Sequence, residues 1–379
     1  MKSRRCHIIF VLFNLELGGA ERQALILAQH LAEHERAYVE VWGFNKAGPV
    51  AEICDQLGLP WELIPLSFKR PYLWDLGQFA AMLRRARPDI LLPYTFVPNV
   101  VCGLIWKQTA VGTCIWNQRD EGRMPIVAQM ARVAVELTPM FIANSDGGAR
   151  FLIDTLKADP LKIRIIKNGI EPSPPLEGRS VWRDRLAIDD DAFVACMVAN
   201  LHAKKDHPTL LRAWRRVVDE MNDHKPVLVL AGRHDGAYES LAALSRELNL
   251  DDHVRFPGQV SDVSGLLSAV DLGVFSSVNE GCPNGVLESM AAGLAVAGTD
   301  IEEIRALVGP AGEPFLAWRK DDKALAEVIL KFANEPGLRV TIGAANQNRV
   351  EENYTADRMC HQTVAVLDEL TNGRFELGK

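Results

Sequence analysis

"HIIFVLFNLELGGAERQALILAQHLAEH", His7–His34, is the stretch on which the reading of the fold turns. Its first residues, "HIIFVLF", form an unbroken apolar run without alternation, the pattern of a strand buried on both faces. Basic residues precede the run in the manner of a signal peptide, but Asn14 and Glu16 soon interrupt it, so a buried first strand is expected. "LGGA" then supplies a turn, and "ERQALILAQHLAEH" sets Ala24, Leu27, Ala28 and Leu31 at helical spacing. Strand, glycine loop and helix in that order open an α/β sheet.

The pattern continues outward. Apolar runs at "AYVEVWGF", "DILLPYTF", "GTCIWNQ" and "MFIANS" alternate with helical segments, which predicts a parallel sheet covered on both faces. A second series, "FVACMVANL", "PVLVLAG", "VRFPG", "LGVFSS" and "LAVAGTD", has helices such as "HPTLLRAWRRVVDEM" between its members, with Pro208 suited to a first helical turn. Between the two series lies "NGIEPSPPLEGRS", residues 168–180, a Gly-, Pro- and Ser-rich linker. The expectation is therefore two Rossmann-like, doubly wound α/β domains, residues 1–170 and 181–355, facing each other across a cleft at the carboxyl ends of their sheets.

The chain has 379 residues, enough for two cores, and a net charge of −7, which argues against general nucleic-acid binding. The charge is uneven. Residues 1–170 hold 20 Lys and Arg against 16 Asp and Glu, and the remainder holds 22 against 33. The seven cysteines form no C-x-x-C pair, and a reducing cytoplasm is expected. No apolar stretch approaches the roughly 20 residues that cross a bilayer, so any membrane contact is expected to be peripheral. "DLGQFAAMLRRARP" puts Leu76, Phe79, Ala80 and Leu83 on one helical face, followed by Arg84, Arg85 and Arg87. Core packing explains the apolar face. With Lys2, Arg4, Arg5, Lys69 and Arg70, these charges could also hold the basic domain against anionic lipid at the inner face of a membrane.

Chemistry concentrates in "NEGCPNGVLESMAAG", Asn279–Gly293. Glu280 falls in the loop after the strand "LGVFSS", and Glu288 falls about one turn into a helix that begins near Asn284. A carboxylate in that position can accept paired hydrogen bonds from vicinal hydroxyls. The amides from Gly281 to Val286, Gly285 included, then lie at a helix start, where unpaired N–H groups and partial positive charge suit an anion. Two glutamates at this spacing also occur by chance, and an acid in a first turn also compensates the helix dipole.

The full string "SSVNEGCPNGVLESMAAGLAVAGTD" resembles the E-x7-E motif of glycosyltransferase family 4, retaining enzymes of the GT-B fold. "LELGGAER" resembles the family's N-terminal glycine loop, "ANSDGGARFL" and "IKNGIE" its interdomain approach, and "VANLHAKKDHPTLLRAW" its phosphate-binding strand and helix. The resemblance spans most of the chain. It implies that Glu280 holds sugar hydroxyls of a nucleotide-sugar donor, Glu288 its ribose and Lys205 its diphosphate, with Gly18 and Gly19 admitting the backbone close to the donor. It further implies hexosyl transfer with retention and without metal or other cofactor, and a final helix, within 356–379, packed back on the N-terminal domain. That domain would bind the acceptor, a surface glycan or lipid-linked oligosaccharide.

Two positions depart from the family pattern. Asn200 stands where an arginine usually precedes the phosphate lysine, and Arg233, after "VLVLAG", is the candidate to replace its charge. A histidine common in the N-terminal domain is also missing, which leaves Asn117, Arg119, Asp120 and Glu121 as polar loop candidates for the acceptor. "IDDDAF", Asp189–Asp191, mimics a D-x-D metal motif but precedes the first strand of its domain, so a solvated turn is expected. His207 is expected to be a helix-start residue. Rival readings keep the fold: a GT-B epimerase or phosphorylase, or a non-catalytic subunit that binds nucleotide-sugar.

Overall fold

The computed structural model describes residues 5–66, 72–120, 122, 128–171, 173–221 and 225–371. Glu121, Lys2, Arg4, Lys69, Arg70 and positions 372–379 of the expected last helix lie outside the described residues. The chain forms two compact units. The first runs to Gly169 and resumes at Ala356; the second is Ile170–Thr355.

The first unit is built on a parallel sheet of seven strands: β1 (His7–Leu12), β2 (Tyr38–Phe44), β3 (Trp61–Ile64), β4 (Ile90–Pro93), β5 (Thr113–Gln118), β6 (Met140–Ala143) and β7 (Ile163–Ile165), in the order β3-β2-β1-β4-β5-β6-β7. Successive residues of β1 face opposite layers, as strand geometry requires. Ile8, Phe10 and Leu12 pack with Ala24, Leu27, Ala28 and Leu31 of the helix Gly19–Glu33, while Ile9 and Val11 pack with Phe79 and Leu83 of the helix Tyr72–Ala86. Both faces are buried, which is why "HIIFVL" shows no alternation. Each such side chain contributes roughly 1.5–3 kcal/mol by leaving water. Met359, Cys360, Val364 and Leu367 of the helix Ala356–Thr371 join the first layer, and Arg164 is ion-paired with Glu369 at 3.2 Å.

The second unit repeats the plan with β8 (Val194–Val198), β9 (Val227–Ala231), β10 (Val254–Gly258), β11 (Leu272–Phe275), β12 (Val296–Thr299) and β13 (Leu316–Ala317), ordered β10-β9-β8-β11-β12-β13 and again parallel. Ala195 and Met197 of β8 face the layer that holds Leu210, Leu211 and Trp214 of the helix His207–Glu220. Val194 and Cys196 face the other layer with Trp182 and Leu266. In each sheet the strand order reverses beside the first strand, between β1 and β4 and between β8 and β11. The connections leaving the two neighbouring strands there run to opposite sides, which opens a crevice at their carboxyl ends.

The Pro- and Ser-rich run after Gly169 is tied to the second unit. Asp262 accepts from the backbone N–H of Leu176 (3.2 Å) and Glu177 (3.1 Å), and from Trp182 Nε1 at 3.0 Å. "IDDDAF" is likewise held. Buried Arg183 donates to the carbonyls of Asp189 (2.7 Å), Asp190 (2.8 Å) and Ala192 (3.1 Å) and to Asp271 Oδ2 at 3.2 Å. The acidic turn thus turns its carbonyls to an arginine. All seven cysteines are buried free thiols, and among the described residues no helix is long and apolar enough to cross a membrane.

Candidate functional site

In the second unit, the loop after β8 makes a short turn, Ala203–Lys205, in which His202 Nδ1 accepts from the N–H of Lys204 at 3.2 Å. Asp206 follows in the left-handed region (φ 48°), so the chain turns at once into the helix His207–Glu220, with Pro208 in its first turn. Asp206 Oδ2 accepts from Thr209 Oγ1 at 2.8 Å and fixes this entry. Lys205 is therefore held at the carboxyl end of the sheet.

The loop after β11 meets it there. Ser276 Oγ donates to the Lys205 carbonyl (2.8 Å), and Val278 N–H to the Lys204 carbonyl (2.9 Å). Lys205 Nζ lies 2.5 Å from Glu280 Oε1, and Ser277 Oγ donates to the same oxygen at 2.6 Å. Thr299 Oγ1, from the end of β12, donates to the Ser277 carbonyl at 2.5 Å. The Lys205 and Glu280 side chains keep 24% and 11% of their surface, so the pair is sheltered yet reachable.

The helix Asn284–Ala291 begins directly behind this loop, after Pro283 and without a side-chain cap. Gly281 and Asn284 are half-buried in the approach to it. At Gly285 a Cβ would stand 2.1 Å from the Val198 carbonyl oxygen, so only glycine lets the helix start sit this close to β8. Glu288 follows on the same helix, half-buried. Burial, and then the nearby Glu288 carboxylate, push the Cys196 thiol far up. An ammonium, a carboxylate, a helix start and a second carboxylate one turn later together suit a ligand that carries an anion flanked by hydroxyls.

Asn200 serves the loop itself: its Oδ1 accepts from the N–H of Arg233 at 3.1 Å. Arg233 lies at the end of the neighbouring strand β9, where its guanidinium forks onto Asp235 at 2.6 and 3.2 Å. His207 opens the helix as expected and is fully buried; desolvation, and then Lys205, push its imidazole down to about 4. Its Nε2 has no partner among the described residues.

In the first unit Gly18 precedes the helix Gly19–Glu33 in extended conformation, and the group nearest to its α-carbon side is the Glu21 carboxylate, 2.6 Å from a built Cβ. Of the polar loop candidates for the acceptor, Asn117 lies in a strand, whereas Arg119 follows the end of β5 as a loop residue but is buried. Asn117 belongs to β5, fully buried, with its backbone N–H and carbonyl both bonded to Asn99. Arg119 is 8% exposed, stacks on the Tyr94 ring at 4.6 Å and donates to Tyr94 Oη (3.2 Å), Asn117 Oδ1 (3.2 Å) and Asn168 Oδ1 (3.3 Å). Aromatic stacking and neutral acceptors make burial of this cation tolerable. Asp120 remains at the surface side, accepting from Gly122 N–H at 2.9 Å and from Gln118 Nε2 at 2.8 Å.

The sequence reading missed Ser276, Ser277 and Thr299. Their signal was present as hydroxyl residues at the ends of β11 and β12, beside the glutamate already singled out.

Comparison with known proteins bears on this arrangement. The model described as "Glycosyl transferases group 1" matches residues 178–349, and that described as "Glycosyltransferase Family 4" matches residues 17–174. A D-inositol 3-phosphate glycosyltransferase of Streptomyces avermitilis is 27% identical over 240 residues, 61% of this chain and 50% of the relative. One from Thermobispora bispora is 26% identical over 358 residues, 84% of this chain and 81% of the relative. The alignment thus spans about half the length of the first curated relatives. The crystal structure of Anabaena Alr3699/HepE in complex with UDP-glucose superposes with a TM-score of 0.82 at 19% identity, over 96% of this chain and all of that one (100%). With the two family models together matched over most of its length and both sheets in Rossmann order, the chain belongs to glycosyltransferase family 4 and has the GT-B type of fold.

Proposed function

We propose that the protein transfers a hexosyl group, with retention, from a nucleoside diphosphate-sugar to an acceptor in the synthesis of a surface or lipid-linked glycan. The observation that carries this reading is the Lys205–Glu280 pair at the switch point of the second sheet, beside the uncapped helix start at Pro283. Lys205 and the helix amides would take the diphosphate, Glu280 the sugar hydroxyls and Glu288 the ribose, with Gly281, Asn284 and Gly285 shaping the approach. The neighbour crystallised with UDP-glucose supports a nucleotide-sugar as the ligand class.

In this reaction the bond between the anomeric carbon and the phosphate oxygen breaks, and the diphosphate leaves with the electron pair. The acceptor oxygen forms the new bond on the same face and passes its proton to the departing phosphate. Positive charge at Lys205 and the helix start stabilises the leaving group, so neither a metal nor another cofactor is needed. Peripheral contact with anionic lipid, through exposed Arg84, Arg85 and Arg87, would bring a lipid-linked acceptor near. Failure to sediment with anionic vesicles at low salt would remove that part.

A second reading rests on Arg233. Because Asp235 engages its guanidinium, the charge absent at Asn200 has no evident substitute, and a subunit that binds nucleotide-sugar without turnover is the alternative. Isothermal titration against UDP-, GDP-, ADP- and dTDP-sugars, repeated with Glu288→Ala, tests both. One donor bound by the wild type and weakened by the substitution supports the site. Product with an acceptor panel then supports transfer, and binding without product supports the second reading. No binding to any donor overturns both.

A further inference from the structure

Glu280 is a carboxylate with its two oxygens in different surroundings. Oε1 accepts from Lys205 Nζ at 2.5 Å and from Ser277 Oγ at 2.6 Å. Among the described residues, no donor reaches Oε2. Ser277 is itself fully buried, and Thr299 Oγ1 clamps its carbonyl at 2.5 Å. The adjacent Ser276, equally buried, spends its hydroxyl on the Lys205 carbonyl at 2.8 Å. Two neighbouring serines at the end of β11 therefore hold, respectively, the backbone of the lysine and the carboxylate of the glutamate.

The two bonds to Oε1 differ in what a donor would do to them. A diphosphate competes with Glu280 for the Lys205 ammonium, since both are anions and the lysine is a mobile point charge on a flexible stem. The Ser277 hydroxyl is neutral and fully buried, so the charge of a diphosphate pulls on it far less than on the ammonium. Once Lys205 turns to phosphate, Ser277 is the donor that still orients the carboxylate. We propose that Ser277, clamped by Thr299, is a positioning residue for donor recognition: it fixes Glu280 by Oε1 so that Oε2 faces the sugar hydroxyls. The proposal rests on the functional reading above and names the residue that separates recognition of the sugar from recognition of the nucleotide.

The test is isothermal titration of Ser277→Ala with UDP-glucose and with UDP, or with the corresponding pair if the donor panel selects another base. Loss of one hydrogen bond to a charged group predicts an affinity for the sugar nucleotide reduced about tenfold. Affinity for the diphosphate alone should stay within about twofold, because the role assigned to Glu280 is towards the sugar. Ser277→Thr, which keeps the hydroxyl, should bind both ligands nearly as the wild type does. In a Glu280→Ala background Ser277→Ala should have no further effect, as expected of a residue that acts through another. Thr299→Val, which loosens the clamp without touching the hydroxyl, should reproduce the pattern more weakly. Equal loss for both ligands, the same loss in the Glu280→Ala background, or no loss at all overturns the proposal. A wild type that binds no nucleotide overturns the functional reading first, and this inference with it.

Discussion

At the carboxyl ends of β4 and β5 the first unit encloses Arg119 against the Tyr94 ring, 8% exposed and bonded only to neutral oxygens among the described residues. At the ends of β8 and β11 the second unit keeps Lys205 24% exposed and gives it a carboxylate partner, Glu280. Both sheets have the same first strand order, so topology offers each a crevice in the same relative place. The side chains decide what the crevice can do. A cation sheathed by an aromatic face and amide oxygens is held in place, whereas a sheltered ion pair still reachable from solvent can exchange its partner for a ligand.

The sharpest way to break that contrast is Lys205→Ala. If Lys205 stabilises a leaving phosphate, turnover should fall by about 10²–10³, comparable with removal of one stabilising donor in other sites. Urea denaturation should show little change, about 1 kcal/mol or less, because a part-exposed pair adds little to stability. Arg119→Leu should do the opposite. It removes the guanidinium that donates to Tyr94 Oη and Asn117 Oδ1 in the interior and the stacking on the Tyr94 ring, which predicts a loss of about 2–4 kcal/mol in the same measurement. Donor titration of the refolded variant should be unchanged. A loss of donor affinity larger than the loss of stability would mean that the first unit's edge is also a ligand edge.

Gly285→Ala sharpens the comparison within the second unit. Its Cβ would stand 2.1 Å from the Val198 carbonyl, so the helix start must shift, at an expected cost of about 1–3 kcal/mol and with weaker donor binding by titration. The smallest effect concerns His207, whose buried imidazole is pushed down to about 4 from the usual 6.5. Between those values the unfolded chain binds the proton and the folded protein does not. Stability contributed by the neutral form is therefore complete above about pH 6.5 and declines as pH falls towards 4, by at most about 1.4 kcal/mol per pH unit. His207→Gln should flatten this slope when urea denaturation is compared at pH 7 and pH 5.

Much of the fold was legible because buried parallel strands announce themselves. β1, β2, β8, β9 and β11 coincide with apolar runs, and Ala24, Leu27, Ala28 and Leu31 are all buried as their spacing implies. β3, β7 and β13 went unread. They are edge strands of two to four residues, β7 with part-buried and exposed side chains only, and too short for any periodicity to rise above chance. The same limit affected the site. Glu280, Glu288 and Lys205 stood out by motif, whereas Ser277 and Thr299 are common residues whose importance lies only in what they touch. Asn117 and Arg119 show the same limit from the other side: their burial was not readable from polar letters, because it depends on a neighbouring tyrosine and several asparagines that satisfy them.

By itself the sequence determined the α/β class, the repetition of the strand–loop–helix unit and the helix that carries Glu288, since all three follow from local periodicity and turn chemistry. Only the tertiary structure decided that Lys205 and Glu280 touch, although 75 positions separate them, and that Ser277 and Thr299 hold the glutamate from behind. The reason is the reversal of strand order between β8 and β11: it brings the ends of strands distant in the chain to one point, and pairing of that kind is set by the sheet as a whole rather than by any short stretch of residues.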